Sequence, residues 1–449
     1  MAGPWSLDKL AAVSSETEAR LRRYVDIGLL HRQPDGEFEP DSLHRLRLIQ
    51  FARTRGVSDD QLAAVTASQG DLLGIFDEAH ASTDASTDLG TAAAGLGLDD
   101  DVIAELGGIL GWGDVGAGTE ADVAALRVVA QALALGMPRD ALMQMVRVFT
   151  DVMARLADAE VRTFHDYVHE RFRAQGLAGP ELLQATEGIA KPVLDLVEPA
   201  VVHFHRRAYQ RASREDLLRH LAEATYPASA TPGEEQATVL FVDLASFTAL
   251  TATMGNRMAV DVLGRFSDTV RASAFRCGGR ILKQIGDAFM LMFSQPDDAI
   301  EFGLEMDRFV ATEPRFPALH IGAHHGAVLY REGDYVGTTV NLAARVASAG
   351  AAGKFLITEE LRDAIEKVTD ADFISLPPQR LKGIRDPICL IEVRRRGPES
   401  SNRPIDPVCG LRLGPNDVAS HATWHGITFA FCCELCKNVF SEDPGRFVS

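Results

Sequence analysis

The stretch ILKQIGDAFMLMF, Ile281 to Phe293, limits most tightly what this chain can become. A short strand-like segment runs up to Gly286-Asp287 and a wholly apolar one, Ala288 to Phe293, follows it. Short apolar segments of this length suit strands, and a Gly-Asp separator is the chemistry of a tight hairpin loop. This region must therefore contain an antiparallel sheet. The hairpin carries an oddity, because Lys283 and Asp287 lie four residues apart with nothing close in sequence to neutralise either.

A second strand sharpens the question. ATVLFVDLASFTAL is an apolar run that ends on Asp243 and then turns. If that strand neighbours the hairpin, Asp243 and Asp287 converge. Adjacent carboxylates repel, and a divalent cation relieves the repulsion. Mg²⁺ favours a few carboxylate oxygens plus substrate phosphates, and a pair of ions about 3.5–4 Å apart can activate an attacking oxygen and hold a leaving group. Taken singly, either aspartate would be an ordinary water-facing residue.

The rest of the region shifts the balance. GDYVGTTVNLAARVASAG holds Asp334, Asn341 and Arg345, and the last two share a face if the segment is helical. Arg345 offers a planar fork suited to phosphate oxygens. RLKGIRDPICLIEV places Lys382 just before an apolar strand. Jointly these residues supply carboxylates for metal and cations for phosphate. His324 and His325 in AHHGAVLY receive no catalytic role.

LFVDLASFT, LKQIGDAFM, GDYVGTTVNLAARV and LKGIRDPI occur in the order found in the class III nucleotidyl cyclase catalytic domain, which residues 237–396 resemble. The resemblance implies a ferredoxin-like βαββαβ sheet that dimerises head to tail, with sites shared across the interface. It implies that Asp243 and Asp287 bind two Mg²⁺ or Mn²⁺ ions per site. Lys283 and Asp334 would read adenine, Asn341 would position the ribose, Arg345 would stabilise the α-phosphate in the transition state, and Lys382 would hold the terminal phosphates. Lys283 and Asp287 then need no mutual neutralisation, since they serve different sites. Adenine presents an acceptor at N1 and a donor at its amino group, which a lysine and an aspartate complement. The expected reaction is ATP to 3′,5′-cyclic AMP and pyrophosphate.

The chain has 449 residues, enough for several domains, with 46% hydrophobic and 24% charged residues, an ordinary balance for a protein that buries real cores. Its net charge of -18 argues against a general nucleic-acid binder. No apolar run is long enough to span a membrane, and the first residues lack a secretory pattern, so a cytoplasmic protein without membrane contact is expected. Composition divides it into residues 5–76, a linker 77–98, helical residues 99–222, a linker 223–236, the region 237–396 and a cysteine-rich tail 404–449. The fold class expected is multidomain α+β: an all-α N-terminal regulatory region, the sheet domain and a small Cys-rich module.

Within the helical part there is an echo at an offset of 80 residues. Leu43, Leu46, Arg47, Gly56, Asp60 and Leu62 recur as Val123, Leu126, Arg127, Gly136, Asp140 and Leu142. Both copies read as helix, Gly turn, helix, which predicts two tandem modules. LRRYVDIGLL with the following helical segment resembles a MerR-type winged helix-turn-helix, which implies DNA contact through Arg20, Arg22 and Arg23; the wing QPDGEFEP is acidic, which opposes it. Residues 99–221 resemble the helical regulatory region found ahead of soluble actinobacterial cyclase domains, and their long helices would pair across a dimer. His165, His169, His203 and His205 are candidates for pH sensing there.

DPVCGLRLGPNDVASHATWHGITFAFCCELCKNVFSEDPGRF resembles a YHS domain, a metal-associated module. Cys409, Cys432 and Cys436 match its cysteines, and thiolates favour Zn²⁺ or Cu(I). Cys433, His421 and His425 are open as a fourth ligand. The whole reads as a homodimeric adenylate cyclase tuned by its N-terminal helices and its tail. The alternative is a MerR-like, metal-responsive transcription regulator that keeps the cyclase fold for nucleotide binding and dimerisation.

Overall fold

The echo at offset 80 is a structural repeat. In the first copy the helix Ser42–Thr54 ends at Gly56, φ +85°, and the helix Asp59–Gln69 starts on Ser58, whose side chain forms a reciprocal capping box with Gln61. In the second, the helix Glu120–Ala134 ends at Gly136, φ +88°, and the helix Arg139–Phe164 follows. Only glycine takes that left-handed backbone at no steric cost, so each helix stops there and the chain reverses. Each copy also opens on a short antiparallel contact: Trp5 with Phe38, and β1 (Thr87–Asp88) with β2 (Ala117–Gly118). Each buries its own apolar cluster, in which the equivalent residues Leu46 and Leu126 are both fully covered.

The computed structural model describes residues 5–39, 42–71, 73, 87–112, 117–223, 234–313, 315–396, 403–414 and 416–448. These fall into two units, Met1–Pro227 and Ala228–Ser449. Of the expected linker 77–98, residues 77–86 lie outside the described residues. Leu89–Gly95 forms a helix capped by Asp88, with Leu89 and Ala93 buried. Of the linker 223–236, residues 224–233 lie outside the described residues, and Glu234 already belongs to a strand. The first unit continues through a π-helical turn, His165–His169, to the helix Gly179–Glu223, which exposes Leu194, Leu196, Phe204 and Tyr209. No helix among the described residues is long and apolar enough to cross a membrane.

The second unit is built on a mixed sheet. Its strands are β3 (Glu234–Leu244), β4 (Arg280–Ile285), β5 (Ala288–Phe293), β6 (Leu319–Arg331), β7 (Asp334–Val336), β8 (Phe355–Thr358), β9 (Ala371–Ser375) and β10 (Leu390–Arg395). The order is β4-β5-β3-β6-β8-β10-β9, with β7 paired to β6. β6 and β8 run parallel, and the other neighbours are antiparallel. β3 is central and covered on both faces, which explains its unbroken apolar run. Leu240, Val242 and Leu244 join the large core under the helices Asn256–Arg276 and Pro296–Thr312, whereas Ala237 and Val239 join a smaller cluster with Ala343 of the helix Thr338–Ala349.

The tail does not fold around a core of its own. It has a hairpin of β11 (Ser420–Trp424) and β12 (Ile427–Phe431) and a helix, Glu434–Glu442. Val408, Cys409, Leu411, Leu413, Phe431, Cys436 and Phe440 belong to the same buried cluster as Phe266 and Phe316. A segment this short buries too little surface to stand alone, and here it borrows the sheet domain's core.

Candidate active site

Asp243 sits at the end of β3, paired in register with Ala288 on β5 and His320 on β6. Asp287 precedes Ala288 at the bend of the hairpin, where Gly286 takes φ +63° in a two-residue loop. The sheet thus brings the two carboxyl groups close enough for each to feel the other's charge. Burial pushes the Asp243 carboxyl up to about 7, and the charge of Asp287 pushes the same way. Asp243 Oδ1 is buried without a hydrogen-bond partner among the described residues. A desolvated oxygen beside a second carboxylate suits a hard divalent cation.

Lys283 meets Asp334. Its Nζ donates to Asp334 Oδ2 at 2.5 Å, and Asp334 Oδ1 accepts the backbone N–H of Tyr335 at 2.8 Å. Two local devices bring this about. The β4–β5 register shifts between Ile281 and Lys283, a bulge that re-aims the lysine. Glu332 and Gly333, both at positive φ, close the β6–β7 hairpin so that Asp334 opens β7 opposite Arg331. Behind this pair, buried Tyr335 accepts from Arg280 Nη2 at 2.5 Å, a second tie between β4 and β7.

Asn341 and Arg345 are exposed, one turn apart, on the helix Thr338–Ala349. The helix lies so close to β6 that a Cβ on Gly322 would be 2.0 Å from the Ala347 nitrogen. Thr339 Oγ1 also donates to the Ala327 carbonyl at 2.6 Å. Lys382 is exposed after buried Leu381, on a loop held by the Gln379–Ile388 bridge. The structure thus joins four of the expected residues in two pairs. Asn341, Arg345 and Lys382 stand in solvent and make no ion pair among the described residues. His324 and His325 bond Thr358 and Thr238, at 2.7 and 3.0 Å, as structural groups.

In the tail, Cys432 Sγ lies 3.6 Å from the sulfurs of Cys409, Cys433 and Cys436. Hydrogen bonding to Cys409 and Cys436 pushes the Cys432 thiol down, and bonding to Cys432 pushes theirs up. The ligand-bearing atoms of Asp406, Cys409, Cys432 and Cys436 cluster within 4.8 Å. Asp406 was not singled out in sequence, although DPVC is an Asx-turn pattern: its carboxylate accepts the backbone N–H groups of Val408, Cys409 and Cys432. Cys433, His421 and His425 are outside this cluster.

On the N-terminal unit, Arg20, Arg22 and Arg23 face Glu16, Glu18 and Asp60 at 3.1, 3.1 and 2.9 Å. The rings of His165 and His169 stack at 4.6 Å, and His165 lies 3.7 Å from Glu170. His203 and His205 are exposed.

Residues 230–389 match the adenylate and guanylate cyclase catalytic domain. An uncharacterized protein of Mycobacterium tuberculosis is 31% identical over 312 residues, 68% of this chain and 78% of the relative. A pH-sensitive adenylate cyclase of Mycobacterium tuberculosis is 26% identical over 267 residues, 58% of this chain and 65% of that protein. An adenylate cyclase of Streptomyces coelicolor is 27% identical over 288 residues, 62% of this chain and 72% of that protein. With its sheet, its paired carboxyls and a relative matched along most of its length, the chain belongs to the family of the adenylate and guanylate cyclase catalytic domain.

Proposed function

We propose that this protein is a homodimeric adenylate cyclase that converts ATP to 3′,5′-cyclic AMP and pyrophosphate. The observation that carries the reading is the Asp243–Asp287 pair, with one buried oxygen lacking a partner, on the same sheet as the Lys283–Asp334 pair. The order β4-β5-β3-β6 with its two helical crossovers is read as the ferredoxin-like βαββαβ unit. Two Mg²⁺ or Mn²⁺ ions, held by Asp243 and Asp287, supply Lewis-acid chemistry when bound.

The chain's own residues position and neutralise. The Lys283–Asp334 pair opens around the purine, Lys283 donating to N1 and Asp334 accepting from the 6-amino group. Asn341 orients the ribose so that its 3′ oxygen stands in line with the α-phosphorus. The 3′ hydroxyl gives up its proton to solvent, its oxygen bonds to the α-phosphorus, and the α–β phosphoanhydride bond breaks to release pyrophosphate. Arg345 meets the charge that builds on the α-phosphoryl oxygens, and Lys382 holds the departing pyrophosphate. Such a reaction asks the protein for geometry and charge more than for covalent chemistry. Each site takes its carboxylates from one subunit and its base-reading pair, Asn341 and Arg345 from the other, so two-fold symmetry gives two sites.

In the tail, Cys409, Cys432 and Cys436, with Asp406, suit Zn²⁺ or Cu(I). Sulfurs about 2.3 Å from a tetrahedral ion lie roughly 3.8 Å apart, close to the 3.6 Å separations around Cys432. The competing reading, a DNA-binding regulator, needs available cations on the N-terminal module, and the carboxylates facing Arg20, Arg22 and Arg23 oppose it.

Purified full-length protein with Mn²⁺ is expected to turn over ATP at least about tenfold faster than GTP, the discrimination a hydrogen-bonding base pocket readily exceeds. Asp287→Ala abolishes the activity. Equal use of both nucleotides sinks the adenine assignment; turnover surviving Asp287→Ala sinks the carboxylate assignment.

A further inference from the structure

A chain of backbone hydrogen bonds links the turn after Asp243 to the cysteine cluster. Ala245 donates to the Ala318 carbonyl at 2.8 Å, Ala318 to the Gly410 carbonyl at 2.8 Å, and Gly410 to the Asp406 carbonyl at 2.9 Å. The Asp406 side chain in turn accepts the Cys432 N–H at 2.8 Å. The ladder that holds β3 ends at Leu244, opposite Leu319. Beyond it the chain turns through buried Ala245 and through Ser246 at φ +55°, so Ala245 is the first residue past the ladder that can fix the Asp243 end.

Gly410 presses on that point. It takes φ +73°, and a Cβ there would lie 2.3 Å from the Ala245 carbonyl oxygen. The segment around it is anchored twice more. Leu411 bridges Pro317, and Arg412, 5% exposed, donates its N–H to the Phe316 carbonyl at 3.2 Å and lies 3.4 Å from Asp307. The module therefore braces the turn.

We infer that the cysteine module completes the catalytic domain, and that Gly410 is a positioning residue for the Asp243 carboxylate. The inference rests on the reading of Asp243 as a ligand of the catalytic cations. Groups that orient a metal's ligands typically change its affinity by about 10–100-fold when lost. Displacing the Ala245 turn moves the end of β3 and thereby the carboxylate, whose charge burial and Asp287 already disfavour.

The test uses the full-length chain and Mn²⁺ binding, read by electron paramagnetic resonance with 3′-deoxy-ATP, which cannot cyclise. Gly410→Ala is expected to weaken Mn²⁺ about tenfold and to raise the Mn²⁺ concentration for half-maximal turnover by the same factor, with turnover largely recovered at saturating Mn²⁺. Gly426→Ala is the control. It imposes the same positive-φ strain, at +81°, but faces open space in the module's own hairpin. It should change neither constant by more than about twofold, well below that range. Arg412→Met, which keeps the packing but loses the tie to Asp307, shifts both constants in the same direction by less and serves if Gly410→Ala does not fold. Unchanged Mn²⁺ affinity in the folded variants, or an equal loss in Gly426→Ala, overturns the inference. Wild-type protein that binds Mn²⁺ without turning over ATP sinks the enzymatic reading and leaves this one standing.

Discussion

Asp243 is a carboxylate held where ionisation costs most. Its pKa, about 7, lies above the ordinary 3.8. The native state therefore keeps this proton to higher pH than the unfolded chain does, and metal-free stability falls as pH rises from about 4 to about 7, then levels off. Asp243→Asn removes that loss. In EDTA it is expected to unfold at a higher temperature than wild type, by a margin larger at pH 8 than at pH 5, while activity disappears. The gain at pH 8 is on the order of 1–3 kcal/mol, the cost of the raised pKa discounted for partial solvent exposure. A margin independent of pH would show that the carboxyl is not strained in this way. At this scale the sequence was informative about identity and silent about company. Asp243 and Asp287 could be named from strand ends and a turn, but their proximity needed the β3–β5 register. Asp406 is legible in sequence only as the Asp of an Asx-turn pattern, DPVC; that it also holds the distant Cys432 N–H is decided by packing.

On the proposed mechanism the helix Thr338–Ala349 matters most for turnover, since it carries both Asn341 and Arg345. Its height above the sheet is set by Gly322. Gly322→Ala places a methyl group against the Ala347 backbone, which cannot yield as a side-chain tip would. Overpacking of this kind typically costs about 1–3 kcal/mol. The variant is expected to lose stability on that scale in urea unfolding and to lose turnover disproportionately, at temperatures where it remains folded. Full turnover in the folded variant would mean that the helix position is not critical. That Asn341 and Arg345 share a face was legible in advance, once the segment was taken as a helix. The need for glycine on the strand beneath it was not, because Gly322 and the Ala347 backbone are brought together only by packing. The bulge that turns Lys283 toward Asp334 was equally hidden, since a register shift is a relation between two strands.

For the whole molecule, shared sites predict complementation. Asp287→Ala and Arg345→Ala are each expected to be inactive alone. Mixed in equal amounts after subunit exchange, they are expected to recover about a quarter of wild-type activity, because half the dimers are mixed and each of those has one intact site. No recovery, with exchange confirmed, would place both residues in one subunit's site. Apolar side chains left in solvent on the second unit, among them Val260 and Ile285, are consistent with a covered face. What the sequence determined by itself was local: the hairpin, the apolar central strand, the paired helical repeats with their glycine stops, and the residue types able to hold cations and phosphate. These follow from backbone sterics and side-chain period, which act over a few residues. Tertiary structure alone decided that Asp243 lies beside Asp287, that Lys283 reaches Asp334, and that the tail joins the core of the sheet domain. Those outcomes depend on register, close packing and the shortage of apolar surface in a short tail, and each is a relation between residues far apart in the chain.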